Sequence, residues 1–159
     1  MLKKLLALVP AILLRAAIAA AQDKSSDLAI VVNASCSLDN VSSAELAKIF
    51  KAEKSKTPEG AKFLIGVRET GSAERKAALE AIYHMTDAEY EKFFLQATFA
   101  GTVTAAPKVL AGAGAARLFV AGSPGAICYL RASEADSSVK VVKVDGKAPG
   151  DPGYPIKIK

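Results

Sequence analysis

Residues 63–75 read Phe-Leu-Ile-Gly-Val-Arg-Glu-Thr-Gly-Ser-Ala-Glu-Arg. An apolar run ends in Arg68, a small polar turn follows, and helix-forming residues begin at Ala73. Arg68 offers a planar fork of donors that matches phosphate or sulfate. Gly71 lets the backbone approach a ligand closely. Ser72 has two donors, its hydroxyl and its N–H, and Thr70 can do the same or cap the helix. A helix start adds unpaired backbone N–H groups and the positive end of a dipole. This combination suits an oxyanion. The same residues also permit a plainer arrangement. In it Arg68 pairs with Glu69, Glu74 or a remote carboxylate, and Thr70-Gly71-Ser72 is only a capped turn.

A second polar group follows the first apolar segment, at Asn33 and Ser35. Ligands of open α/β sheets bind beyond the carboxyl ends of strands. On that rule Asn33 and Ser35 face the same crevice as Arg68, unless they form an Asx-type turn. Catalytic constellations are missing. His84 is the single histidine and falls between two expected helices, where a structural role is expected. No Gly-x-Ser-x-Gly turn, phosphate-cradling Walker loop or dinucleotide fingerprint occurs. Asp87 and Glu89 are charges at a helix start. The protein is therefore not expected to be an enzyme, and no metal or cofactor is implied.

These groups need elements to hold them. Leu28-Ala29-Ile30-Val31-Val32-Asn33 is a continuous apolar strand, suited to a sheet covered on both faces. Ser42-Ser43-Ala44-Glu45 is a capping box before a helix carrying Leu46, Ile49 and Phe50 on one face. Residues 62–67 form a second strand. A helix over 73–83 and another after the capping box Thr86-Asp87-Ala88-Glu89 follow, the latter with Tyr90, Phe93, Phe94 and Ala97 inward. Pro107 is placed in the first turn of a helix reaching about residue 121. Strands are expected at 126–130 and 139–144, and an alternating edge strand at 154–159. Strands alternating with helices imply an α/β domain with a largely parallel sheet and some antiparallel admixture.

The first residues have a different character. Lys3 and Lys4 precede an apolar run over 5–14, and Ala19-Ala20-Ala21 supplies small residues before Gln22. This is the layout of a secretory signal peptide over 1–21, about half as long in its apolar part as a membrane span. Its three cations account for most of the formal charge of +5, and the remainder carries +2. With no basic tract or aromatic-rich basic face, nucleic acid is not an expected partner. Export places Cys36 and Cys128 in an oxidising compartment, where they either pair or serve as two small buried hydrophobes.

Several segments resemble the phosphate-binding proteins, the solute-binding subunits of phosphate ABC transporters, within the type II periplasmic-binding-protein superfamily. Ile30-Val31-Val32-Asn33 looks like the strand that leads into that family's second lobe. Ser42 to Phe50 is similar to its L-T-x-x-x-L-x-x-I-F helix. Residues 68–74 resemble its R-x-D-G-S-G-T phosphate motif, and Pro124 to Tyr129 its P-G-A-I-G-Y turn and strand. Asp145-Gly146-Lys147 and Tyr154-Pro155 echo later segments. The resemblance covers most of 28–155. It implies a single lobe of a type II periplasmic-binding-protein fold over 22–159, a mixed, mostly parallel sheet flanked by helices. It implies an exported, periplasmic solute-binding module for phosphate or a similar oxyanion, with a membrane transporter or sensor as partner. The alternative is an accessory protein on the same lobe without a small ligand. Thr70, Ala73 and Glu74 depart from the motif, where the family has Asp, Gly and Thr. A carboxylate at Glu74 opposes an anion unless it is turned away or paired. Cys128 replaces a family glycine. The resemblance brings its strand near the first one, which would favour a Cys36–Cys128 bridge.

Overall fold

A computed structural model describes residues 26–159. The expected signal peptide over 1–21 lies outside the described residues. The elements in chain order are β1 (Leu28–Val32), β2 (Asn40–Val41), α1 (Ser43–Phe50), β3 (Leu64–Arg68), α2 (Ala73–Ala78), α3 (Asp87–Phe99), β4 (Lys108–Leu110), α4 (Gly112–Gly122), β5 (Ala126–Arg131) and β6 (Lys140–Val144). A π-helical turn, Leu79–Tyr83, prolongs α2 and ends at His84 in the left-handed conformation.

The six strands form one sheet in the order β2-β6-β1-β5-β3-β4. β2 runs parallel to β6, β5 to β3, and β3 to β4. β1 is antiparallel to both its neighbours, β5 and β6. β1 is thus the one strand running against the other five. The expected mixed, mostly parallel sheet flanked by helices is what the chain forms.

All five residues of β1 are buried, which explains its unbroken apolar run. One face of the sheet carries Ile30, Val32, Ile127 and Tyr129 and packs against α1, α2 with its π turn, α3, and Tyr154 and Ile156. Phe50, Tyr83, Tyr90, Phe94 and Tyr129 interlock there, mostly edge to face. The other face carries Ala29, Val31, Ala126, Cys128 and Leu130 and is covered by α4 through Ala116 and Val120.

Both helix-start signals operate. The Ser42 side chain accepts from the Glu45 N–H, and Thr86 with Glu89 forms a complete reciprocal capping box. Three expectations change. Pro107 does not open a helix. Residues 108–110 pair with β3, and α4 begins only at Gly112, whose positive φ of 80° turns the chain between them. The last residues form no regular strand. They tie to the start of β1 through the Leu28 N–H to Ile156 C=O and Ile158 N–H to Ser26 C=O bonds, and through a Lys157–Asp27 ion pair. Cys36 and Cys128 do not pair. Cys128 points into the α4 face and Cys36 into the opposite core, so the sheet itself separates the thiols. No helix among the described residues is long and apolar enough to cross a membrane.

Candidate functional site: an arginine held by a carboxylate

Arg68 is the last residue of β3, at the end of the sheet where the parallel strands finish. Its side chain is only 6% exposed. The Tyr129 hydroxyl oxygen accepts its backbone N–H at 3.1 Å, and its carbonyl accepts from Arg75 Nη1 at 3.3 Å. Arg75 is itself buried, paired with Asp87 at 2.7 Å and stacked 4.6 Å from the Tyr90 ring centre. The strand end is therefore fixed from both sides.

The guanidinium does not face an open site. Its Nε and Nη2 donate to Glu69 Oε2 at 3.0 Å and Oε1 at 3.3 Å, a bidentate contact. The third nitrogen, Nη1, faces Glu134 Oε2 at 3.8 Å, and neither atom has a hydrogen-bond partner among the described residues. Burial works against the Arg68 charge. The Glu69 contact and the fields of Glu69, Glu74 and Glu134 outweigh it and raise its pKa. In return, the hydrogen bond from Arg68 holds the Glu69 carboxyl down at about 2.

Glu69 makes one more contact. Gly112, the first residue of α4, donates its backbone N–H to Oε2 at 3.3 Å. Ala111 provides no side-chain cap for that helix. The Glu69 carboxylate thus lies between an arginine fork and the amino end of an 11-residue helix, where negative charge is favoured.

Of the residues singled out by sequence, Arg68, Thr70, Gly71 and Ser72 share one turn. Thr70 and Gly71 are exposed, and Gly71 turns the chain at φ 86°. Ser72 is committed locally. Its hydroxyl donates to the Glu69 carbonyl at 2.9 Å and accepts the Arg75 N–H at 3.1 Å. Glu74 is buried but does not oppose the site unpaired, because Arg131 Nε donates to it at 2.9 Å.

Asn33 and Ser35 do not join this group. Because β1 runs against β3 and β5, its carboxyl end lies at the opposite end of the strands. Val32 and Ile65 both align with Ile127, which puts Asn33 about four residues, or roughly 13 Å, from Arg68 along the strands. The rule that ligands bind past strand ends holds only for strands of one direction, and β1 is the exception. Asn33 has structural work there. It donates to the Val120 and Ala121 carbonyls at 2.8 and 3.0 Å, closing the end of α4, and accepts from the Ser35 N–H and hydroxyl.

Sequence reasoning missed Glu134 and the start of α4. Both reach Arg68 only through the pairing of β3 with β4 and β5, and no local spacing signals it. Among the described residues no group of three or more His, Cys, Asp or Glu side chains is placed to hold a metal.

The geometry so far defines an α/β lobe with a charge-matched arginine at its strand ends. Its fold is that of solved phosphate-transport binding proteins. A protein described as a phosphate ABC transporter substrate-binding protein from Clostridium perfringens, with phosphate bound, is similar with a TM-score of 0.64 and 22% identity over 78% of this chain and 47% of that one. An ABC-type phosphate transport receptor from Vibrio cholerae gives 0.62 and 18%, over 78% and 48%. PstS from Borrelia burgdorferi gives 0.62 and 16%, over 84% and 55%. The chain spans about half the length of these structures. No family model and no curated protein matches it.

Proposed function

We propose that the protein is an exported, periplasmic solute-binding lobe whose Arg68 turn takes an oxyanion, with phosphate the first choice, in the service of ABC-type uptake or sensing. A membrane transporter or sensor protein is the partner this role implies. One observation carries the reading. The Glu69 carboxylate, itself an oxyanion, lies bidentate on Arg68 with a helix N–H behind it. An added anion would use the same donors and must displace Glu69 to reach them, so its affinity is weak. Similarity in fold to proteins named for phosphate transport supports the choice of ligand.

Titration of the purified protein with phosphate, sulfate and other oxyanions tests this. The expected result is saturable binding and a rise in Tm at millimolar phosphate, both lost in Arg68→Ala and reduced in Arg68→Lys, which keeps the charge but loses the fork. No binding of any oxyanion, by wild type or by Glu69→Gln, overturns the reading.

The closure of Arg68 by Glu69 favours a second reading, an accessory protein that docks a transporter or sensor and holds no small ligand. It predicts capture of the same partner by wild type and Arg68→Lys alike.

A further inference from the structure

A concave site lies at the other end of β3. A cleft of about 550 Å³ opens between the loop after α1, the first residues of β3 and the segment joining α3 to β4. Its volume lies in the range of small-molecule sites. Its apolar lining is Leu64 and Phe119 on the α4 side of the sheet, with Phe63, Ile65 and Val103 from the opposite face. Leu64 is 40% exposed although it sits in a sheet strand, so helix packing leaves this part of β3 uncovered.

The rim is cationic. Lys54, Lys56, Lys62 and Lys108 line the cleft, and no Asp or Glu does. Their positions are set by the fold. Lys62 precedes β3 and donates to the Thr104 hydroxyl at 2.6 Å. Lys108 starts the adjacent strand β4, with its ammonium 5.4 Å from the Phe119 ring centre. Among the described residues only Lys54 of these four has a carboxylate partner, Glu45 on α1, outside the cleft lining.

Apolar floor and cationic rim together select a ligand class. Three ammonium groups without a carboxylate around one concavity, Lys56, Lys62 and Lys108, repel each other, and a bound anion relieves that repulsion. A hydrocarbon body covers the floor and removes apolar surface from water, on the order of 25 cal/mol per Å². Inorganic phosphate would meet only the rim, and a neutral apolar molecule only the floor. We infer that this cleft binds an amphiphilic organic anion, a carboxylate head held by Lys62 and Lys108 on a short aliphatic body lying over Leu64 and Phe119. The site is independent of the Arg68 turn.

Calorimetric titration of the purified protein with octanoate, below its micellar concentration, tests the inference. Octanol and octyltrimethylammonium, with the same chain and a neutral or cationic head, serve as comparators. Saturable octanoate binding is expected, with octanol at least tenfold weaker and octyltrimethylammonium silent. The exposed double change Lys62→Gln and Lys108→Gln should weaken octanoate at least fivefold, and Leu64→Glu should abolish binding, both with the circular dichroism of wild type. Millimolar phosphate, which would occupy the Arg68 turn, should leave octanoate affinity unchanged. The inference is overturned by absent octanoate binding, by octanol binding equally well, by an unaltered affinity in the double lysine variant, or by competition from phosphate at the Arg68 turn.

Discussion

A guanidinium that already holds a carboxylate through two nitrogens must release it before it holds anything else. Glu69 is that carboxylate, and its side chain is 40% exposed, so water screens the pair and its net strength is no more than about 1 kcal/mol. Glu69→Gln removes the competing charge and leaves the Arg68 fork in place. Oxyanion affinity should then rise about fivefold, the equivalent of that ~1 kcal/mol. Phosphate titration of the variant beside wild type measures the change, and an equal or lower affinity shows that Glu69 does not compete. Arg68 and its turn were visible in the sequence, because an arginine between an apolar strand and a capped helix start has few local roles. Its pairing with Glu69 is one of the arrangements the sequence permits. The contribution of Gly112 and Glu134 was not visible, since 43 residues separate Gly112 from Glu69 and only the sheet order brings them together.

Elements meet at positions where a side chain would intrude. Gly125, before β5, adopts a φ of 86°, and a Cβ built there would lie 2.3 Å from the Lys62 carbonyl oxygen. The same turn passes its carbonyl to the Leu64 N–H and so starts the β5–β3 pairing. Gly125→Ala should destabilise the fold by roughly 2 kcal/mol or more, through both strain and clash. Urea unfolding of the variant checks this. The thiols make a second case. Burial drives Cys128 up to about 12 and raises Cys36, and the sheet stands between them. Neither thiol should react readily with an aromatic disulfide reagent in the native protein at pH 8, both should react after unfolding, and reductant should leave the Tm unchanged. Strands and capped helices were legible because their signals are local: the apolar run of β1, Ser42 with Glu45, Thr86 with Glu89. The segment after Pro107 was misread because Lys108-Val109-Leu110 is too short to show a period, and its strand state comes from pairing with β3.

At the scale of the whole molecule, several carboxylates are held below their ordinary range. Glu69 is held by Arg68 and Glu59 by Ser37, each at about 2, while Thr86 lowers Glu89, Ser138 lowers Asp136 and Ser43 lowers Asp145. A depressed folded value means the charged form is preferred in the native state. Its stabilisation is complete above the ordinary values of 4.5 for Glu and 3.8 for Asp and is lost as pH falls below them, down to about 2 for Glu69 and Glu59. Urea midpoints should therefore fall across that window, and Glu69→Gln should flatten the lower part of the decline. The fold class was legible from the alternation of strands and helices, but the reversal of β1 was not. A strand's direction is set by its partners, and those of β1 lie about a hundred residues further along the chain. That separation has a kinetic consequence. Leu28–Val32 can be enclosed only when both β5 and β6 are present to flank it, and its first residue is tied only when Ile156 arrives. Among the described residues, the middle of the sheet joins the first strand in the sequence to the last two. Its assembly is dominated by contacts of high sequence separation, which slows folding. A nascent chain that stops short of Lys140–Val144 leaves Leu28–Val32 open on one edge, and so stays in a form that chaperones, rather than its own core, must keep from aggregating.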